Sequence, residues 1–186
     1  MKIGFDLDRV FINYPPLIPP SLIDWLYQNH QSKKLSYRFP HSSLERLFRR
    51  LTHFYLLRPK IENNIHLIQN FPRNPHHHNL YLVSSRYQFL EDLTYKILKR
   101  YGLTPFFSSI HLNTKNEQPH LFKKRIIKKL QLNLFIDDDL ELLEYLKKHC
   151  PQIKLLWYNP AKKTTPNKNI AAITSLKQIR KFLKND

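Results

Sequence analysis

The chain is poor in three things, and each shortage removes a class of function. It has only two glycines, Gly4 and Gly102, among 186 residues. A glycine-rich phosphate loop of the dinucleotide-binding or Walker type therefore has no room to form. Its single cysteine, Cys150, excludes an internal disulfide framework and cannot make a cysteine-based zinc site alone. No run of 18 or more apolar residues occurs, and no apolar leader segment follows the basic residue of MKIGFDLD. A soluble cytoplasmic protein with reduced thiols and no membrane partner is the expectation. Acid is scarce as well: 14 Asp and Glu stand against 31 Lys and Arg, a formal net charge of +17. Such a charge attracts polyanions, nucleic acid or phosphorylated substrates among them, although lysines that merely solvate helix faces give the same count.

What is present suffices for a folded domain. Hydrophobic residues make up 41% and aromatics 13%, which argues against disorder. Thirteen prolines punctuate mainly the first half. From residue 79 onward, short apolar runs alternate with helical periodicity. The runs are LYLVSS, PFFSSIHL, LNLFIDDD and IKLLWYN, and helices are predicted at about 87–101, 118–130 and 140–149. Repetition of this βα unit implies a parallel sheet, and KIGFDLD at the start has the same buried-strand character. The expected architecture is α/β, a doubly wound Rossmann-like sheet of order 3-2-1-4-5 in chain numbering. A helical insertion follows strand 1, with helices predicted at 21–29, 42–57 and 61–70. Residues 1–13 and 76–186 form the expected core, and 14–75 the expected cap. In the 42–57 helix, Leu44, Leu47, Phe48, Leu51 and Tyr55 recur at helical spacing behind Ser42 or Ser43 as N-cap, with Glu45, Arg46, Arg49 and Arg50 opposite.

Because acids are scarce, their placement is informative. Asp6 and Asp8 end the first strand, and Asp137, Asp138 and Asp139 end LNLFI. If these strands are neighbours, the carboxylates mass at the carboxyl edge where open parallel sheets bind ligands. A hard divalent cation with oxygen ligands, Mg2+ above all, would relieve their repulsion. Asp139, just before LELLEYL, reads instead as a helix cap.

Four segments together resemble the haloacid dehalogenase (HAD) superfamily of phosphohydrolases. DLDRV is similar to its first motif, VSSR to the second, a lysine near 123 to the third and FIDDD to the acidic fourth, in matching order over nearly the whole chain. The opening also looks like the small deoxyribonucleotidase-type phosphatases. The resemblance implies an HAD-like fold with a small cap, and Mg2+-dependent hydrolysis of a phosphomonoester, a nucleotide or other small phosphometabolite. It implies Asp6 as nucleophile forming an aspartyl-phosphate and Asp8 as general acid and base. Ser84 and a lysine would contact the phosphoryl oxygens. Metal would fall to Asp6, Asp8, Asp137 and Asp138, and substrate contacts to Arg9, Ser85 and Arg86. The separation that the family's pattern suggests, 14 residues before Asp137, makes Lys123 the implied lysine, with Lys124 still open. Arg9 departs from the family, which has glycine there; it adds a cation at the site and is either a substrate contact or a mark of impaired catalysis. Phosphate removal from nucleic-acid ends, or nucleic-acid binding on an inactive scaffold, are the other readings that the charge suggests. The triple histidine His76, His77 and His78 reads as a loop, and Cys150, Trp25 and Trp157 as structural. Tyr14, Tyr37, Arg38, Phe39, Arg46, Arg49 and Arg50 give the expected cap a mixture of cations and aromatics suited to phosphate and ring contacts.

Overall fold

A computed structural model describes residues 1–16, 18–19, 35–71, 78–162, 164 and 167–183. The helix expected at 21–29, Trp25 within it, and His76 and His77 lie outside these. Six strands form one all-parallel sheet in the order β3-β2-β1-β4-β5-β6. They are β1 (Lys2–Phe5), β2 (Asn79–Tyr87), β3 (Ser109–Asn113), β4 (Leu134–Asp137), β5 (Lys154–Tyr158) and β6 (Ala171–Ile173). The expected order holds, and β6 extends it by one short strand.

Helices cover both faces, as a fully buried parallel sheet requires. On one face lie α2 (Glu62–Gln69), α3 (Glu91–Arg100) and the C-terminal turns, which bring Ile65, Ile68, Ile97, Leu98, Leu176 and Ile179 against Ile3, Phe5 and Leu134. On the other, α4 (Pro119–Leu130) and α5 (Leu140–His149) bury Phe122, Ile126, Leu142 and Leu146 against Val83, Phe135 and Leu155. Gly4 is required by this packing, because a Cβ there would come within 2.5 Å of Leu132 and 2.7 Å of Phe135. Cys150 is fully buried in the second cluster, a structural thiol. No helix among the described residues is long and apolar enough to cross a membrane.

Two expectations about the insertion change. α2 falls within 14–75, yet it packs into the main core rather than over the strand ends. α1 (Ser43–Thr52) starts at Ser42 with a complete capping box, the Ser42 hydroxyl and Glu45 carboxylate each accepting from the other's backbone N–H. Its apolar stripe, however, faces outward: Leu44 is 78% exposed, Leu47 55% and Leu51 56%. The inward positions are Arg49 and Thr52, because Arg49 donates to the Arg38 carbonyl at 2.6 Å and its guanidinium lies over the Tyr87 ring. Amphipathic spacing located the helix; polar contacts set its rotation.

Candidate active site

The strand crossover between β1 and β4 creates the site. Phe5 is in register with Ile136, and the Asp6 N–H donates to the Ile136 carbonyl at 2.9 Å, so Asp6 and Asp137 leave the sheet side by side. Both carboxylates are buried, at 5% and 1% exposure. Between them sits Lys123, carried on α4, its Nζ 2.8 Å from Asp6 Oδ1 and 2.6 Å from Asp137 Oδ2. Lys124 points elsewhere and donates to the Tyr145 hydroxyl at 3.2 Å.

The next turn brings further charge. Arg9 adopts φ +56°, the left-handed region that glycine populates most easily, and its guanidinium lies 3.2 Å from Asp138. The Asp138 carbonyl accepts from the Trp157 indole N–H at 2.8 Å, so Trp157 braces this turn. Asp139 caps α5 by accepting from the Leu142 N–H, as expected, and also accepts from the Tyr37 hydroxyl. Single ligand oxygens from Asp6, Asp137 and Asp138 lie within 4.8 Å of one another. Burial and mutual repulsion push all three upward against the pull of Lys123 and Arg9, Asp6 to about 7. Lys123, opposed by burial but flanked by two carboxylates, is held firmly protonated. A set of close, buried oxygen donors that repel one another fits a hard divalent cation.

Asp8 has a different environment. Arg86 grips it in a fork, Nε to Oδ2 and Nη2 to Oδ1 both at 2.8 Å, and Arg58 donates to the same Oδ1. Burial opposes its ionisation, but the two guanidiniums overcome that and hold the carboxyl well below the usual carboxylate range. Beside them His53 is buried and donates from Nδ1 to the Arg49 carbonyl at 2.8 Å; burial, then the two arginines, keep it well below its ordinary value.

These groups line a cavity of about 320 Å³, at the small end of the range for ligand sites. Of the sequence-derived candidates, Asp6, Asp8, Arg9, Ser85, Arg86, Lys123, Asp137 and Asp138 reach its wall. Ser84 does not: it is 1% exposed and accepts from the Arg86 N–H at 3.5 Å. Ser85, the next residue, faces the cavity with its hydroxyl buried and without a hydrogen-bond partner. Tyr14, Tyr37 and Arg38 also line it, whereas Arg46 is spent on the Pro40 carbonyl and Arg50 on Asp92 and the Phe89 carbonyl. Phe39 packs on Tyr87 with ring centroids 4.9 Å apart. Arg58, His53 and Tyr87 are wall residues that the sequence did not reveal. For Arg58 the only local cue is its place before Pro59, which speaks of extended backbone and not of burial.

No protein-family model matches the sequence, and no curated protein matches it significantly. Solved structures do. A HAD-hydrolase from Bacillus subtilis, YfnB, described as bound to magnesium, superimposes with a TM-score of 0.62 at 17% identity over 98% of this chain and 97% of its own. A HAD phosphatase from Thermococcus onnurineus gives 0.62 at 16% identity, covering 100% and 99%. A HAD-superfamily hydrolase of subfamily IA from Geobacter sulfurreducens gives 0.57 at 12% identity, covering 98% of each.

Proposed function

From a chain with the fold of the haloacid dehalogenase-type hydrolases, we propose a magnesium-dependent phosphomonoester hydrolase that works through an aspartyl-phosphate on Asp6. One observation carries the reading: a buried lysine bridges two aspartates at the crossover of a parallel sheet, on the wall of a small cavity. A structural ion pair has no need of the third carboxylate, Asp138, nor of an opening beside it.

In this reading the Asp6 carboxylate attacks phosphorus in line with the departing oxygen, and water later cleaves the acyl phosphate. Lys123 offsets the charge that gathers on the phosphoryl oxygens, and Ser85, with its unsatisfied hydroxyl, donates to one of them. Asp6, Asp137 and Asp138, with the main-chain carbonyl of Asp8, would hold Mg2+, which supplies charge neutralisation where the phosphoryl group sits. Asp8 handles protons: a proton goes to the leaving oxygen and one is taken from the attacking water. While both arginines hold it ionised, Asp8 accepts hydrogen bonds but has no proton to give, so the first of these tasks requires the clamp to loosen. A small phosphometabolite, a nucleotide among them, is the substrate class that the cavity's size supports.

The test is hydrolysis of a chromogenic phosphate ester by the purified protein, with magnesium and with chelator, beside Asp6→Asn. Turnover that needs magnesium and falls about a thousandfold or more in Asp6→Asn is expected. Activity retained in that variant overturns the nucleophile. A second reading, a binding protein on this scaffold, is favoured by the pairing of Arg9 with Asp138 and of Asp8 with two arginines. It predicts no turnover, and nucleic-acid affinity that falls steeply with salt.

A further inference from the structure

Nine large apolar side chains stand exposed among the described residues, and seven of them fall between residues 44 and 57. Four lie on α1, where Leu44, Leu47, Phe48 and Leu51 follow the i, i+3, i+4, i+7 spacing of one helix face. Leu56 and Leu57 continue the apolar run in the turn behind it. Apolar surface gathered in this way marks an interface. At roughly 150–250 Å² for a large side chain, exposures of 36–78% leave the seven with roughly 500–900 Å² of accessible surface. A standard interface buries about 800 Å² on each partner.

Charge decides what can cover this face. Glu45 and Arg50 flank the stripe on its two edges, given about 100° of turn per residue, and each is already paired within the chain, Glu45 with Arg38 and Arg50 with Asp92. Arg46 and Arg49 lie on the side away from the stripe, where they donate to the Pro40 and Arg38 carbonyls. Lipid headgroups and nucleic acid select a row of uncommitted cations beside the contact, whereas these edges carry one acid and one base, both engaged. A second copy brings the same apolar, electrically balanced face. A two-fold axis across α1 also sets the two helices antiparallel, with their dipoles opposed.

We propose that the outward face of α1 is the interface of a homodimer, in which Leu47, Phe48 and Leu51 of two copies pack together across a two-fold axis. The pairing is independent of the phosphohydrolase reading. The inward side of the same segment supplies His53 and Arg58 to the cavity wall, so the partner copy also braces that wall from behind. Each copy carries a net charge of +17, so repulsion opposes the pairing and salt relieves it.

Sedimentation velocity of the full chain over about 1–200 μM tests this. A reversible monomer–dimer equilibrium is expected, several-fold tighter in about 0.5 M than in about 0.1 M sodium chloride, the reverse of the salt response of polyanion binding. The double variant Leu47→Glu with Leu51→Glu should associate at least about tenfold more weakly. Because the single cysteine, Cys150, is fully buried, Leu47→Cys and Leu51→Cys report the contact directly: at least one should give a disulfide-linked dimer under mild oxidation, while the parent gives none. A parent that stays monomeric throughout overturns the pair, and so does a dimer that the glutamates leave intact or that neither cysteine crosslinks. A lower urea midpoint for the double variant at about 1 μM, where the parent too is monomeric, shows that the chain covers the stripe itself and likewise overturns it. A monomer that sediments with phosphatidylglycerol vesicles through the same leucines gives the face to a membrane instead.

Discussion

Replacing Lys123 by methionine keeps the stem that crosses α4 and removes only the ammonium between Asp6 and Asp137. Two carboxylates, 5% and 1% exposed, then face each other without the cation that lies 2.8 and 2.6 Å from them. Breaking a buried pair from one side leaves an uncompensated charge, at a loss of about 3–5 kcal/mol. Against a total stability of about 5–15 kcal/mol that is large, and urea unfolding with chelator present at about pH 8 should read it directly. The pH dependence follows from the direction of the shifts. Burial pushes Asp6 up to about 7, and Asp137 upward too, so the folded state binds protons more tightly than the unfolded chain does. Stability from these groups therefore falls as pH rises from about 4 to 7, and losing the lysine extends that window upward.

The defect of Lys123→Met should accordingly shrink on acidification to about pH 5.5, where a proton takes the place of the ammonium. It should shrink again at neutral pH when magnesium is added, because the variant's uncompensated carboxylates bind the cation more tightly than the parent's, and each tenfold difference in affinity returns about 1.4 kcal/mol. A loss below about 1 kcal/mol, or one that neither protons nor magnesium diminish, would refute the picture of a carboxylate cluster short of positive charge.

Arg9→Gly should relieve about 1 kcal/mol of left-handed strain and free Asp138, tightening magnesium binding about tenfold by calorimetry; unchanged affinity means Arg9 does not compete with the cation. His53 is held well below its ordinary value by burial and then by Arg86 and Arg58, so the unfolded chain takes up the proton first. Its contribution is thus present above about pH 6.5 and is lost below it, at up to about 1.4 kcal/mol per pH unit. Urea midpoints of His53→Gln should show a flatter acid limb than the parent. Gly4→Ala should destabilise by about 1–3 kcal/mol through its collision with Leu132 and Phe135, measured by thermal or urea unfolding.

The fold was legible where apolar runs and turn signals agreed. α5 begins and ends where its pattern predicts, because Asp139 caps it and Leu142, Leu143 and Leu146 mark one buried face. β6 escaped notice for a physical reason: three residues, Ala171–Ile173, carry too little β-branched or alternating character to stand out, and the strand exists because β5 offers it an edge. The outward stripe of α1 shows the limit of periodicity from the other side. A helical moment says that two faces differ, whereas which face turns inward depends on partners such as Arg38 and Tyr87 that lie far along the chain.

At the site the same division runs between local and distant causes. Scarce acids at strand ends were readable because an aspartate within an apolar run has few structural reasons to be there, and the spacing that the family resemblance implies pointed to the lysine that bridges Asp6 and Asp137. Ser84 and Ser85 could not be separated by motif alone, since both stand where β2 loses regular register with β3, and only the packing decides which hydroxyl meets the cavity. Arg58 was invisible because its burial depends on Asp8, 50 positions away. Yet Arg58 changes the chemistry most: with Arg86 alone Asp8 would sit in an ordinary one-to-one pair, and the second guanidinium on Oδ1 holds its carboxyl further toward the ionised form, against the pull of burial.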